Sequence, residues 1–154
     1  MHVSRICSDL VKIKSENPPG TTAEVIEYIR EFLNGIGIRS TIYGAGQGID
    51  NLVAIQKDAQ LMLCGHVDVV PAPGDNWSRP PFSGEIADGR VWGRGATDMK
   101  GGCAAILSAC ETLAEKGGDV PATLTFVCDE ETGGENGTRF LLAKKVLSPC
   151  DCII

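Results

Sequence analysis

The sequence lacks the features that would direct it to nucleic acid or to a membrane. Its 14 Lys and Arg residues are outnumbered by 20 Asp and Glu residues, for a net charge of −6, whereas nucleic-acid phosphates attract basic surfaces. No apolar run approaches the ~18 residues of a membrane span. The first 15 residues carry charges throughout and lack the apolar core of a signal peptide. We therefore expect a cytoplasmic protein with no nucleic-acid or membrane partner.

A disulfide framework is also absent from the pattern of cysteines. The seven cysteines form an odd and scattered set, which is typical of reduced thiols in a cytosol. Cys150 and Cys152 have the spacing of two metal ligands, but no second pair is placed to complete a zinc knuckle. Four others fall on apolar faces of predicted elements, where we expect core positions: Cys64, Cys103, Cys110 and Cys128.

The residues that are present predict one α/β domain. Its 154 residues are 43% hydrophobic and 22% charged, which is typical of a soluble globular domain. Helical spacing of apolar residues is found over 3–14, 25–36, 103–113 and 138–146. Strand patterns cover 38–43, 51–56, 61–64, 83–87, 90–92 and 122–128, and another begins at 152. The alternation of strands and helices predicts a mainly parallel mixed sheet flanked by helices.

Histidine is the scarcest chemically useful residue, since it occurs only at positions 2 and 66. His66 follows the predicted buried strand 61–64, and Asp68 lies two residues later. Residues i and i+2 of an extended segment face the same way, so Asp68 can hold one ring nitrogen while the other nitrogen faces a cation. The alternative is an ordinary loop histidine with a hydrogen bond.

Asp98 lies in a glycine-rich segment, residues 93–102, between a strand and the third predicted helix. The glycine spacing fits neither the dinucleotide-binding nor the phosphate-loop pattern. Asp98 can cap the helix. It can also bridge metal ions at the carboxyl edge of the sheet, where open α/β sheets place their sites.

A run of three acidic residues, 129–131, follows the predicted strand 122–128. Neighbouring strand residues point to opposite faces, so Glu130 and Glu131 can share a site only where the chain leaves the sheet. The glycines at 133 and 134 allow that departure. The alternative is a solvated acidic turn.

Taken together, these segments collect four carboxylates around one imidazole: His66, Asp68, Asp98, Glu130 and Glu131. Such a group requires divalent cations to be electrostatically tolerable. The carboxylate-rich, imidazole-poor set favours Zn²⁺, Co²⁺ or Mn²⁺ and disfavours a thiolate site.

Four segments in register resemble one known family. They are GHVDVVP at 65–71, WSRPPF at 77–82, GRGATDMKGG at 93–102 and DEETGG at 129–134. The family is that of the dinuclear zinc amidohydrolases and peptidases, which includes acetylornithine deacetylase, succinyl-diaminopimelate desuccinylase, aminoacylase and glutamate carboxypeptidase. The resemblance extends through nearly the whole chain.

The resemblance implies a role for each candidate residue. His66 would bind one of two zinc ions, Glu131 the other, and Asp98 would bridge them. Asp68 would be the partner of His66, and Glu130 would be the general base that activates water. The family also implies a cis peptide bond after Asp98, which is rare outside proline. The implied reaction is hydrolysis of the amide bond of an N-acyl amino acid.

The resemblance also implies that residues 1–154 are the amino-terminal portion of the catalytic domain. Family members continue into a further acidic ligand, a lid domain used for dimerisation and a carboxy-terminal segment with the last histidine ligand, so we expect the 154-residue chain alone to be inactive. Acetylornithine and succinyl-diaminopimelate are the expected substrates. A metallo-dipeptidase or carboxypeptidase is the alternative within the family. A non-catalytic α/β module that binds a metal or a partner is the alternative outside it.

Overall fold

A computed structural model describes residues 2–18, 20–56, 59–74, 76–147 and 151–153. The α-helices within these residues are α1 (Val3–Lys12), α2 (Ala23–Gly35), α3 (Lys100–Glu115) and α4 (Thr138–Ala143). The strands are β1 (Thr41–Gly46), β2 (Ile49–Ala54), β3 (Leu61–His66), β4 (Glu85–Ala87), β5 (Arg90–Trp92), β6 (Ala122–Val127) and β7 (Asp151–Ile153). The predicted α/β alternation is therefore present.

The main sheet has the strand order β1-β2-β6-β3-β7. β6, β3 and β7 pair in parallel, whereas β1 pairs with β2 and β2 pairs with β6 in antiparallel fashion. The mixed sheet flanked by helices is confirmed, and the antiparallel pairing of β1 with β2 follows from the tight turn between them. Gln47 and Gly48 both have positive φ there, as a two-residue hairpin turn requires.

The start of the first strand differs from the prediction of 38–43. The N–H of Ile38 donates to the carbonyl of Leu33 at 2.9 Å, so Ile38 closes the end of α2 and β1 begins at Thr41. The strand also extends beyond the predicted end at 43, because Gly44 and Gly46 pair with β2 across an irregularity in the register.

The core lies on both faces of the sheet. Alternate strand residues point to opposite faces, so Leu124 and Phe126 of β6 join the large cluster under α1, α2 and α3. Val127 joins a smaller cluster with Leu141 of α4. The four cysteines predicted for the core are buried: Cys64, Cys103, Cys110 and Cys128. Cys150 and the side chain of Cys152 lie outside what the structure describes.

The parallel pair β3 and β6 decides where the candidate residues meet. The two strands stay in register from Leu61 opposite Ala122 to His66 opposite Val127. Their carboxyl ends therefore meet at one edge of the sheet, where sites form in α/β folds. The loop before α3 reaches the same edge, since His66 contacts Asp98. Within the described residues, none of the helices is both long and apolar enough to cross a membrane.

Candidate metal centre

His66 is the last residue of β3 and is only 5% exposed. Its Nδ1 lies 3.0 Å from the backbone oxygen of Asp68 and 3.5 Å from Oδ1 of the same residue. Its Nε2 lies 2.9 Å from Oδ1 of Asp98 and 3.7 Å from Oε2 of Glu130. Asp68 thus contacts one ring nitrogen, mainly through its backbone carbonyl, and the other nitrogen faces the exposed carboxylates.

The electrostatic surroundings of His66 favour its protonated form in the metal-free protein. Burial by itself would lower the pKa of the imidazole, but hydrogen bonds to Asp68 and Asp98 outweigh burial and raise the pKa to about 9. A metal ion at Nε2 would have to displace that proton. Metal binding and protonation therefore compete for the same nitrogen.

Asp98 approaches His66 from the loop that precedes α3. The expected cis peptide bond is present between Asp98 and Met99. The helix is capped at Met99 with no side-chain cap hydrogen bond, so Asp98 does not act as the helix cap. Its side chain is 75% exposed and is directed at Nε2 of His66. This position allows its carboxylate to act as a ligand.

Of the three acidic residues after β6, Asp129 is turned toward Asn136, whereas Glu130 and Glu131 lie beside His66. Asp129 adopts a left-handed conformation with φ 67°, and a 3-10 turn follows over Glu130–Thr132. The backbone N–H groups of Glu130 and Glu131 each donate to the Asp68 carboxylate at 3.2 Å. These two hydrogen bonds fix the backbone of the turn against Asp68 and so hold both glutamates next to His66. The side chain of Glu130 is 58% exposed.

Asp68 connects His66, Asn17 and the turn at 130–132 through hydrogen bonds. It is fully buried. Burial by itself would raise its pKa, but hydrogen bonds from His66, Asn17 and the N–H groups of the turn outweigh burial and lower the pKa. Asp68 is therefore an anionic anchor whose acceptors are filled by protein donors.

Three side chains around this anchor can supply ligand atoms to a metal ion. Ligand atoms of His66, Asp98 and Glu131 all lie within 4.8 Å of one another, and one imidazole with carboxylates suits zinc and similar divalent ions. Burial and the carboxylates of Asp98, Asp68 and Glu130 raise the pKa of Glu131, although His66 opposes them. A bound cation would relieve this crowding of negative charge.

Sequence reasoning missed the contribution of Asn17 and the separate role of Asp129. Asn17 lies in the proline-rich stop after α1, and its side chain donates to both Asp68 and Asp129. Nothing in the local sequence distinguishes this asparagine from an ordinary turn residue. Asp129 belongs to the acidic run, but it is only 6% exposed and turns away from Glu130 and Glu131.

Comparison with known proteins agrees with this geometry. The sequence model of peptidase family M20/M25/M40 matches residues 62–154, a range that holds every candidate ligand. The chain belongs to this family. The resemblance inferred from the four segments is thereby confirmed.

The M20 relatives include several curated enzymes. Succinyl-diaminopimelate desuccinylase of Rhodospirillum centenum is 38% identical over 147 residues, which cover 89% of this chain and 37% of the relative. The enzyme of the same name from Cereibacter sphaeroides is 41% identical over 144 residues, with coverage of 89% and 37%. The chain thus spans less than two fifths of the length of these relatives.

Two solved structures share the fold of this chain. The M20 metallo-carboxypeptidase Sso-CP2 from Sulfolobus solfataricus has a TM-score of 0.82 at 25% identity, over 99% of this chain and 37% of its own. Human carnosine dipeptidase 1 has a TM-score of 0.75 at 23% identity, and the match covers 93% of this chain and 35% of the dipeptidase. The second similarity concerns the fold alone.

Proposed function

We propose that residues 1–154 are the amino-terminal portion of the catalytic domain of a zinc-dependent amidohydrolase that cleaves an N-acyl amino acid. The observation that carries the proposal is the convergence of His66, Asp98 and Glu131, whose donor atoms lie within 4.8 Å of one another. Membership in the M20 family supports the same chemistry.

In this proposal each residue at the sheet edge has one role. His66 would hold one zinc ion, Glu131 would hold the other, and Asp98 would be a ligand shared by both. When bound, zinc polarises the substrate carbonyl and lowers the pKa of water toward ~7. Asp68 fixes the orientation of His66 through its ring Nδ1.

Glu130 is the proposed general base. Its Oε2 lies 3.7 Å from Nε2 of His66, farther than Oδ1 of Asp98 at 2.9 Å. The Glu130 carboxylate therefore lies beside the proposed ligands and can accept a proton from water. Glu130 takes a proton from the attacking water and delivers it to the leaving nitrogen of the amide.

For the substrate we propose an N-succinyl or N-acetyl amino acid, with succinyl-diaminopimelate and acetylornithine first. The relatives with 38% and 41% identity are named as desuccinylases, which supports this class. A peptide substrate is the second candidate, because the family member with a TM-score of 0.82 is named as a carboxypeptidase. Further ligands, a lid and a dimer contact would come from outside this chain, and the cytoplasmic location remains a prediction.

The test is Glu130→Gln in the full-length protein, assayed against N-succinyl and N-acetyl amino acids. Loss of a positioned base should lower the rate of amide hydrolysis by about 10²–10⁴-fold. Glu135→Gln is the matched control, since Glu135 is exposed on the same segment and pairs with Arg139. An unchanged rate would refute Glu130 as the general base, and a wild type that hydrolyses none of these amides would favour a non-catalytic binding module.

A further inference from the structure

The segment between α1 and α2 is attached to the strand extension that carries Asp68. The hydroxyl of Ser15 donates to the carbonyl of Val67 at 2.6 Å. The N–H of Val69 donates to the carbonyl of Ser15 at 3.0 Å, and the N–H of Asn17 donates to the carbonyl of Val69 at 2.9 Å. The backbone of Asn17 is therefore hydrogen-bonded to the strand extension that follows His66.

The side chain of Asn17 extends from there to the acidic turn. Its Nδ2 lies 2.9 Å from Oδ1 of Asp129, 3.3 Å from Oδ2 of Asp68 and 3.3 Å from the hydroxyl of Thr132. Asp68 is 51 residues away in the sequence and Asp129 is 112 residues away. One amide group thus bridges the two segments that carry His66 and the glutamates.

The chemistry of the amide suits this bridge. Asp68 and Asp129 are both buried, and two buried carboxylates repel each other unless donors lie between them. An asparagine NH₂ has two protons, one for each carboxylate. Asp129 is held from its other side by the backbone N–H and the side chain of Asn136, at 2.9 and 3.1 Å.

We propose that Asn17 is a positioning residue that sets the spacing between the His66 side and the Glu131 side of the site. This inference rests on the proposed function insofar as that site binds metal. Asn17 itself touches neither metal nor substrate in this proposal. Its effect is transmitted through Asp68, which holds His66, and through Asp129, which precedes Glu130 and Glu131.

The experiment compares variants of the full-length protein by two measurements. The first is a Co²⁺ titration followed by the visible absorption of the bound ion. The second is amide hydrogen exchange of residues 126–134 in the presence of EDTA, which needs no metal. The variants are Asn17→Ala, Asn17→Asp, which keeps the side-chain shape but removes the donors, and the control Asn34→Ala, which alters an exposed residue of α2.

We expect Asn17→Ala to weaken Co²⁺ binding by 10-fold or more, as for other residues that orient metal ligands, and to change the Co²⁺ spectrum. Exchange of the Glu130 and Glu131 amides should become faster. Asn17→Asp should be at least as severe, because a third carboxylate would face Asp68 and Asp129. Asn34→Ala should match the wild type in both measurements.

Unchanged exchange in Asn17→Ala, or wild-type behaviour of Asn17→Asp, would overturn the inference. If Asn17→Ala fails to fold, Asn17→Ser, which keeps one short hydrogen-bond donor and adds no charge, provides the same readouts. If the wild type takes up no Co²⁺, the proposed function fails, and hydrogen exchange still decides the role of Asn17. If Co²⁺ binds equally to wild type and both variants, the metal proposal stands and the positioning role is refuted.

Discussion

The carboxylates at the edge of the sheet form two groups with opposite surroundings. The inner group, Asp68 and Asp129, is 0% and 6% exposed. The outer group is Asp98, Glu130 and Glu131, and the side chains of its first two members are 75% and 58% exposed. Each inner carboxylate accepts hydrogen bonds from several protein donors. The outer group instead faces His66 and solvent.

The difference separates residues that build the site from residues available to a ligand. Burial would raise the pKa of both inner carboxyls, but the hydrogen bonds that they accept lower it. In the outer group, burial and neighbouring carboxylates raise the pKa of Glu131. Charge that is already satisfied by protein donors stabilises the fold, whereas unsatisfied charge at the edge favours a cation.

The largest expected effect is on the inner group. Asp68→Asn keeps the shape of the side chain but removes the negative charge beside His66. It also places an NH₂ donor where the carboxylate accepts hydrogen bonds from the N–H groups of Glu130 and Glu131. We expect a loss of about 3–5 kcal/mol in the free energy of unfolding, the usual cost of breaking a buried pair. Urea denaturation in EDTA measures it. Asp98→Asn is the outer control, and equal losses in the two variants would remove the distinction between the groups.

A pH series tests His66, which lies between the two groups. The pKa of His66 is raised from 6.5 to about 9 in the folded protein, so its stabilising contribution is fully present below pH 6.5 and is lost as the pH rises through 9. Relative to His66→Gln, the metal-free wild type should lose roughly 2–3 kcal/mol across this window. Urea midpoints at each pH check the difference, and a flat difference would contradict it.

The buried Lys100 provides a third test, because it is a buried cation that is held by backbone carbonyls. Lys100 is fully buried, and its Nζ donates to the carbonyls of Leu10 and Ile13 at 3.0 and 2.7 Å. Lys100→Met leaves both carbonyls without this donor and should cost about 2 kcal/mol of unfolding free energy. Thermal unfolding measures this cost, and Lys116→Met, at the exposed end of α3, is the control. A neutral effect of Lys100→Met would mean that water replaces the amine.

The smallest effect is expected in the outer group. The side chain of Glu130 is 58% exposed, and its Oε2 approaches Nε2 of His66 only to 3.7 Å. Glu130→Gln should therefore change the free energy of unfolding of the metal-free protein by less than about 0.5 kcal/mol. Chemical denaturation in EDTA provides the value. A cost near that of Asp68→Asn would place Glu130 in the inner group.

Much of the fold was predictable because its elements have clear periodicity. The buried residues Ile6, Leu10 and Val11 recur at helical spacing in α1. The predicted strands 83–87 and 90–92 correspond to β4 and β5, which the Asp88-Gly89 turn joins. The start of β1 was not predictable, because Ile38 is used to close α2 through Leu33. Local propensity does not reveal that competition.

The site was predictable in its members but not in its arrangement. Strand-end positions brought His66 and the acidic run to one edge, since β3 and β6 are parallel neighbours. The spacing of the residues left open whether Asp98 caps α3, and the structure answers that with a cap at Met99 and no side-chain cap bond. Asn17 carried no signal, because its partners are brought together only by the fold.

The sequence by itself determined the α/β class, the candidate ligands and the family, because these depend on residue type, periodicity and spacing along the chain. Only the tertiary structure decided which acidic residues are buried and which are exposed. Burial and hydrogen bonding depend on contacts between segments as far apart as Asn17 and Asp129, 112 residues along the chain. For that reason, adjacent residues such as Asp129 and Glu130 can have identical charge and opposite surroundings, one buried and one exposed.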